Sequence, residues 1–174
     1  MSDLFGTPVV FKAFVPGDPI AQGSMQARCI NLNPLYALVR GKRFADILKW
    51  RPMLAVYSDN AKLKSWRKSM DKVFALTAKA SGICEPLNAP LQTTLVFVMP
   101  MLKGHVDGKD KRFWAETDYD ADKLERAVND SLTSGKVIIN DSRICDTRRK
   151  KRYAQPGESP GVHVTIRILT QEER

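Results

Sequence analysis

DYDADKLERAVNDSLTSGKVIINDSR, running from Asp118 to Arg143, is the stretch that decides how the chain is read. At 100° per residue, Leu124, Ala127, Val128, Ser131 and Leu132 fall on one face. Asp122, Arg126 and Asp130 fall on the other, so the spacing predicts an amphipathic helix from Asp120 to Thr133. Gly135 suits its stop. The short apolar run Val137–Ile139 leads into a turn, Asn140-Asp141-Ser142-Arg143. Beyond it, Ile144–Tyr153 reads as a strand carrying Arg148, Arg149, Lys150, Lys151 and Arg152.

Val9–Val15 reads as a strand rich in β-branched and aromatic residues, stopped by Pro16-Gly17. Thr93–Met99 is a nearly continuous apolar run ended by Pro100. Val162–Leu169 alternates, with Val162, Val164, Ile166 and Ile168 on one side and His163, Thr165 and Arg167 on the other. Ser65–Ala80 has helical spacing, with Trp66, Met70, Val73, Phe74 and Thr77 in phase and Gly82 beyond its end. Trp66 is expected to anchor the core. Asp18–Asn60 has no clear period and reads as an extended loop with short pieces of structure, and Lys103–Arg112 as a polar loop. The order β, α, β, α, β, β predicts an α+β fold. It would be a single domain over residues 1–174, with a small mixed sheet and two main helices.

The charge distribution is uneven. From Glu116 to Asp141 seven acids face three bases, a net −4, which subtracted from the chain's +9 leaves +13 elsewhere. Crowded carboxylates repel unless neutralised, and a hard divalent cation does this through oxygen ligands. The basic remainder suits a polyanion. Together they suggest phosphodiester chemistry. Asp118-x-Asp120-x-Asp122 resembles the start of an EF-hand loop, but Lys123 and Asn129 stand where that loop needs Gly and Glu. The simpler alternative is capping, since acids at a helix start complement its dipole. One acid is explained that way; three at alternate positions exceed it.

Other function classes recede. Cys29, Cys84 and Cys145 have no CxxC spacing, which argues against a zinc site and for a reducing compartment. No run of eighteen apolar residues exists, so no membrane partner is expected. The first residues lack a basic n-region and an apolar h-region, so no secretory signal is expected.

Asp120-x-Asp122-x-Leu124-x-Arg126-x-x-x-Asp130-x-Leu132, followed by Asn140-Asp141-Ser142, resembles the signature of the RusA family of Holliday junction resolvases, including members carried by phages and prophages. Phe14-Val15-Pro16-Gly17 with Gln22-Gly23-Ser24 resembles that family's N-terminal strand and turn. Ser65-Trp66-Arg67 resembles its first helix, Pro90–Pro100 its middle strand, and Pro156–Leu169 its closing strand. The resemblance implies a RusA-like domain that cuts four-way DNA junctions by paired symmetric nicks. It also implies a homodimer, a Mg²⁺ cofactor (Mn²⁺ as a substitute) and a place in the host cytoplasm at the nucleoid. Asp120, Asp122 and Asp141 match the metal-binding carboxylates. Arg126 stands where the family has a lysine; arginine cannot donate a proton at neutral pH but can stabilise phosphate charge. Asp130 is expected to orient Arg126, and Asp118 to support the ligands from behind.

Arg148 to Arg152, with Lys111 and Arg112 before the site, are the expected DNA contacts; the alternative is a solvated edge strand. Phe113 and Trp114 are read either as base-stacking rings or as core. His163 is expected to be structural, and His105 to lie in a basic loop near DNA. Two other functions remain open: a less selective nuclease on branched or single-stranded DNA, and a DNA-binding module without catalysis.

Overall fold

The computed structural model describes residues 9–23, 25–29, 54–58, 62–106, 108, 111–116 and 119–170. The chain divides into two compact units, one formed by Met1–Gln22 with Lys62–Arg174 and the other by Gly23–Ala61.

In the larger unit, β1 (Val9–Pro16), β4 (Leu91–Met99), β5 (Ile144–Tyr153) and β6 (Gly161–Ile168) form one mixed sheet of order β1-β6-β4-β5. β6 runs antiparallel to both β1 and β4, while β4 and β5 are parallel. A parallel neighbour needs a crossover. Here the segment between β4 and β5 holds α3 (Ala121–Ser134) and delivers the aspartates to the strand's start. α1 (Leu63–Ala80) precedes β4, and a four-residue α2 (Lys103–Val106) follows it. The fold is α+β, with the two main helices where the periodicity puts them.

One sheet face is covered. Leu91, Leu95 and Phe97 of β4 and Val162, Val164 and Ile166 of β6 pack with Trp66, Met70 and Phe74 of α1 and with Leu124, Ala127, Val128 and Leu132 of α3. Trp66 is the expected core anchor. α1 and α3 approach closely at Gly135, where a Cβ would lie 2.9 Å from the Ser131 carbonyl oxygen and 3.1 Å from the Phe74 Cβ. Gly135 ends the helix, but for want of space rather than for a left-handed turn; the positive φ falls on Lys136, at 57°. Arg67 to Asp130 (3.3 Å) and the Ser134 hydroxyl donating to Asp71 (2.7 Å) tie the two helices.

Among the described residues of Asp18–Asn60, expected as a loop with short pieces of structure, β2 (Met25–Cys29) and β3 (Leu54–Ser58) of the smaller unit pair antiparallel. Their pattern is too short for a period to emerge. One expectation is corrected. Within Lys103–Arg112 the first four residues coil into α2, whose His105 is half-buried. Its ring meets Tyr153 edge-on at 4.6 Å, and its Nδ1 accepts from the Leu102 N–H at 3.4 Å. His105 is therefore structural. No described helix is long and apolar enough to cross a membrane.

Candidate metal and nucleic-acid site

Asp120 is the N-cap of α3, with extended backbone, and its side chain caps no helix N–H. The carboxylate instead meets Lys123 Nζ at 2.9 Å. That hydrogen bond and charge, with Lys151 adding attraction, hold its pKa below the ordinary carboxylate value. An exposed acid with an unused cap is not there mainly for helix stability. Asp122, in the first turn, is exposed.

Asp141 opens a 3-10 turn (Asp141–Arg143) that packs beside α3. Two things fix the turn. Leu87 exchanges backbone hydrogen bonds with Val137 and Ile139, at 2.9 and 3.1 Å, which pins the approach. The Asn140 side chain accepts from the Ser142 N–H at 2.8 Å, which sets the turn itself. Asn140, expected only as part of the turn, holds it as an Asx turn, for which an Asn two residues before a Ser is the sign.

The three carboxylates are thus on two touching elements and all exposed. They do not form a ready-made ligand trio. Among the described residues no three His, Cys, Asp or Glu side chains stand together closely enough to hold a metal ion. Lys123 pairs with the Asp120 carboxylate at 2.9 Å. The donor chemistry nonetheless fits a hard divalent ion, because exposed carboxylate oxygens leave room for the waters that Mg²⁺ retains. Asp118 lies outside the described residues.

Arg126 is exposed on the outer face of α3, and the expected ion pair with Asp130 is not made. Asp130 is engaged by Arg67 of α1. Sequence separation hid this partner, while i, i+4 spacing suggested the wrong one. Among the described residues Arg126 has no ion pair, so its charge is available.

β5 carries the basic run, and alternation sorts it. Arg149 bonds Glu125 of α3, and Lys151 Nζ donates to the Tyr119 carbonyl at 2.7 Å. These two face the helix and the aspartates. Arg148, Lys150 and Arg152 take the other face. Arg152 makes a two-pronged pair with Glu158, both bonds at 2.6 Å, and lies 5.7 Å from the centre of the Phe113 ring. The guanidinium of this expected DNA contact is thus engaged within the protein. Arg148 and Lys150 are exposed, and Lys111 and Arg112 are exposed before the site.

The edge of β5 is not left as a bare strand. The Ala115 N–H donates to the Lys151 carbonyl (3.2 Å), and the Tyr153 N–H to the Phe113 carbonyl (2.9 Å), so Phe113–Ala115 lies alongside it. Phe113 and Trp114 remain 43% and 53% exposed, which rejects the core reading for both. His163 stacks on Phe14 at 4.5 Å and is structural; burial first, then the charge of Arg152, lowers its pKa.

The sequence model of the endodeoxyribonuclease RusA family matches residues 48–167, more than half of the chain. The matched span contains α1, β4, α3, the Asp141 turn, β5 and most of β6. The likeness at Phe14–Ser24 lies outside it. Among curated proteins none matches the chain.

Proposed function

Because the chain belongs to the RusA endodeoxyribonuclease family, we propose that it is a divalent-metal-dependent nuclease that resolves four-way DNA junctions in recombination and repair. In this reading residues 1–174 make a single endonuclease domain, with Gly23–Ala61 as an insertion. It works as a two-fold homodimer, since paired nicks in strands of like polarity need two sites.

The observation that carries the proposal is the pairing of exposed Asp120 and Asp122 on α3 with exposed Asp141 on the adjoining turn, in a basic chain. These three would hold the ion, Mg²⁺ or Mn²⁺, which supplies charge neutralisation and water activation. The protein's own groups do the rest. Arg126 offers its free guanidinium to the scissile phosphate, stabilising the charge that builds there. Lys123 pairs with Asp120 at the start of α3, and would have to yield that carboxylate if an ion were held there. Lys151 and Arg149 keep the helix start against β5 and make its surroundings positive. Lys150, Lys111 and Arg112 take the DNA backbone, joined by exposed Arg148 once it leaves its loose pair with Asp146 at 3.9 Å, and these contacts fix register without reading sequence.

The test is cleavage of a labelled four-way junction with Mg²⁺, with Mn²⁺, or with chelator alone, beside linear duplex and single-stranded DNA of the same sequence. Metal-dependent, paired nicking of the junction is expected. Equal cutting of all three substrates would leave the less selective nuclease, and binding without cutting in any metal would leave a DNA-binding module.

A further inference from the structure

Two large aromatic rings stand exposed beside the base-rich strand β5, and the proposed chemistry does not use them. Phe113 and Trp114 meet edge to face, with centroids 4.9 Å apart and planes at 81°. They are held firmly: Trp114 pairs with Arg152 as an antiparallel bridge, and the flanking backbone is bonded to β5 on both sides. Arg152, fixed by Glu158, lies over Phe113. Phe113 is thus occupied by its neighbours and acts as a prop. Trp114, at 53% the more exposed, presents the open surface. Directly opposed residues of an antiparallel pair share a sheet face, so Trp114 lies on the same side as Arg152 and, two residues along β5, exposed Lys150.

We infer that Trp114 is a stacking platform for an unpaired nucleobase, held against it while Lys150 and the preceding Lys111 take the adjoining phosphates. The inference rests on the reading of the chain as a DNA-binding nuclease and adds the component of the substrate that this surface recognises. Three observations favour a base over a second copy of the chain. The patch is two rings, far below the roughly 1,000 Å² that a specific protein interface buries. Its surroundings are basic, so self-association would oppose like charges. A positive track with an exposed aromatic ring is the combination that binds single strands regardless of sequence. A branch point offers such bases, because pairing there is the least secure.

The experiment places 2-aminopurine at the crossover of a four-way junction, and in a control at the middle of a paired arm. Fluorescence and affinity are read in chelator, so that binding is measured without cleavage. Wild-type protein should quench the crossover probe and leave the arm probe unchanged. Trp114→Ala should abolish that quenching and weaken junction binding about 5- to 150-fold, the usual range for losing one stacked base. Trp114→Phe should retain part of both. Unchanged quenching and affinity in Trp114→Ala would overturn the inference while junction cleavage by the wild type still stood. Crossover quenching that vanishes in Trp114→Ala, from a wild-type protein that cuts nothing, would uphold it and sink the nuclease reading instead. Conversion of a dimer to monomer by Trp114→Ala, in sedimentation without DNA, would assign the patch to a second copy and overturn it.

Discussion

Replacing Glu158 by Gln tests whether the Arg152 pair is a structural clamp. Glu158 accepts two bonds from Arg152 and one from the Gln155 N–H, and its carboxyl falls from an ordinary 4.5 to about 2. At about 1.36 kcal/mol per pH unit, that difference sets a ceiling of roughly 3.4 kcal/mol. The side chains of Arg152 and Glu158 are 18% and 29% exposed, so water screens the pair and about 1–2 kcal/mol is the reasonable expectation. For a chain of this size each kcal/mol moves the melting temperature by about 2–4 °C, giving a fall of about 2–8 °C at pH 7. A carboxyl with a depressed folded pKa stabilises fully above its unfolded value and loses that effect as pH falls through the folded one. The gap between wild type and Glu158→Gln should therefore be constant above about pH 4.5. At pH 3 it should be clearly smaller, and it should be lost as the pH falls through the folded value of about 2. Thermal and urea unfolding of both proteins across this range measures it. Identical melting at pH 7, or a gap of the same size at pH 3, would refute the clamp.

Asp120→Asn, Asp122→Asn and Asp141→Asn should each abolish metal-dependent junction cutting in a gel assay while junction binding stays equal or tightens, since each removes a negative charge near phosphate; wild-type cutting by any of them removes that residue from the site. Arg126→Ala should cost about 2–4 kcal/mol of transition-state stabilisation, by analogy with losing an oxyanion donor, whereas Arg126→Lys keeps a cation and should keep substantial activity. Single-turnover rates decide between them, and equal rates for Arg126→Ala and wild type would leave the residue without a catalytic role. Lys150→Gln should lower the slope of log affinity against log salt by about 0.9, one duplex phosphate contact. Arg152→Gln should lower the melting temperature and leave that slope alone; the opposite pattern would mean that Arg152, not Lys150, meets the backbone.

Local pattern made the elements legible, and distance in sequence hid the partners. The helix Ala121–Ser134 follows from Leu124, Ala127, Val128, Ser131 and Leu132 alone, because burial of one face imposes the 3.6-residue period. The strand Ile144–Tyr153 was legible to the residue, and the alternation of its bases with it. The pair β2–β3 was not, since five-residue strands separated by a long segment offer no period to read. Nor was the cover over the β5 edge, because Phe113–Ala115 is held by backbone bonds that any side chains would permit. The aspartate motif singled out candidate residues but not their state. That Lys123 already satisfies Asp120 depends on a rotamer, and rotamers carry no sequence signal.

The same distinction changes which bases should meet DNA. A count of positive residues treats Arg149, Arg152, Lys150 and Arg126 alike. The structure divides them: Arg149 is bonded to Glu125 and Arg152 to Glu158, whereas Lys150 and Arg126 have no ion pair among the described residues. A base already paired must give up a charge-assisted bond before it can gain one from phosphate, so the exchange returns little. An unpaired, exposed base exchanges only water and counterions, and the release of those counterions is what drives nucleic-acid affinity. The working contacts are therefore expected from Arg126 at the aspartates and Lys150 beside Trp114. The paired arginines hold the helix and the aromatic prop between which these two operate.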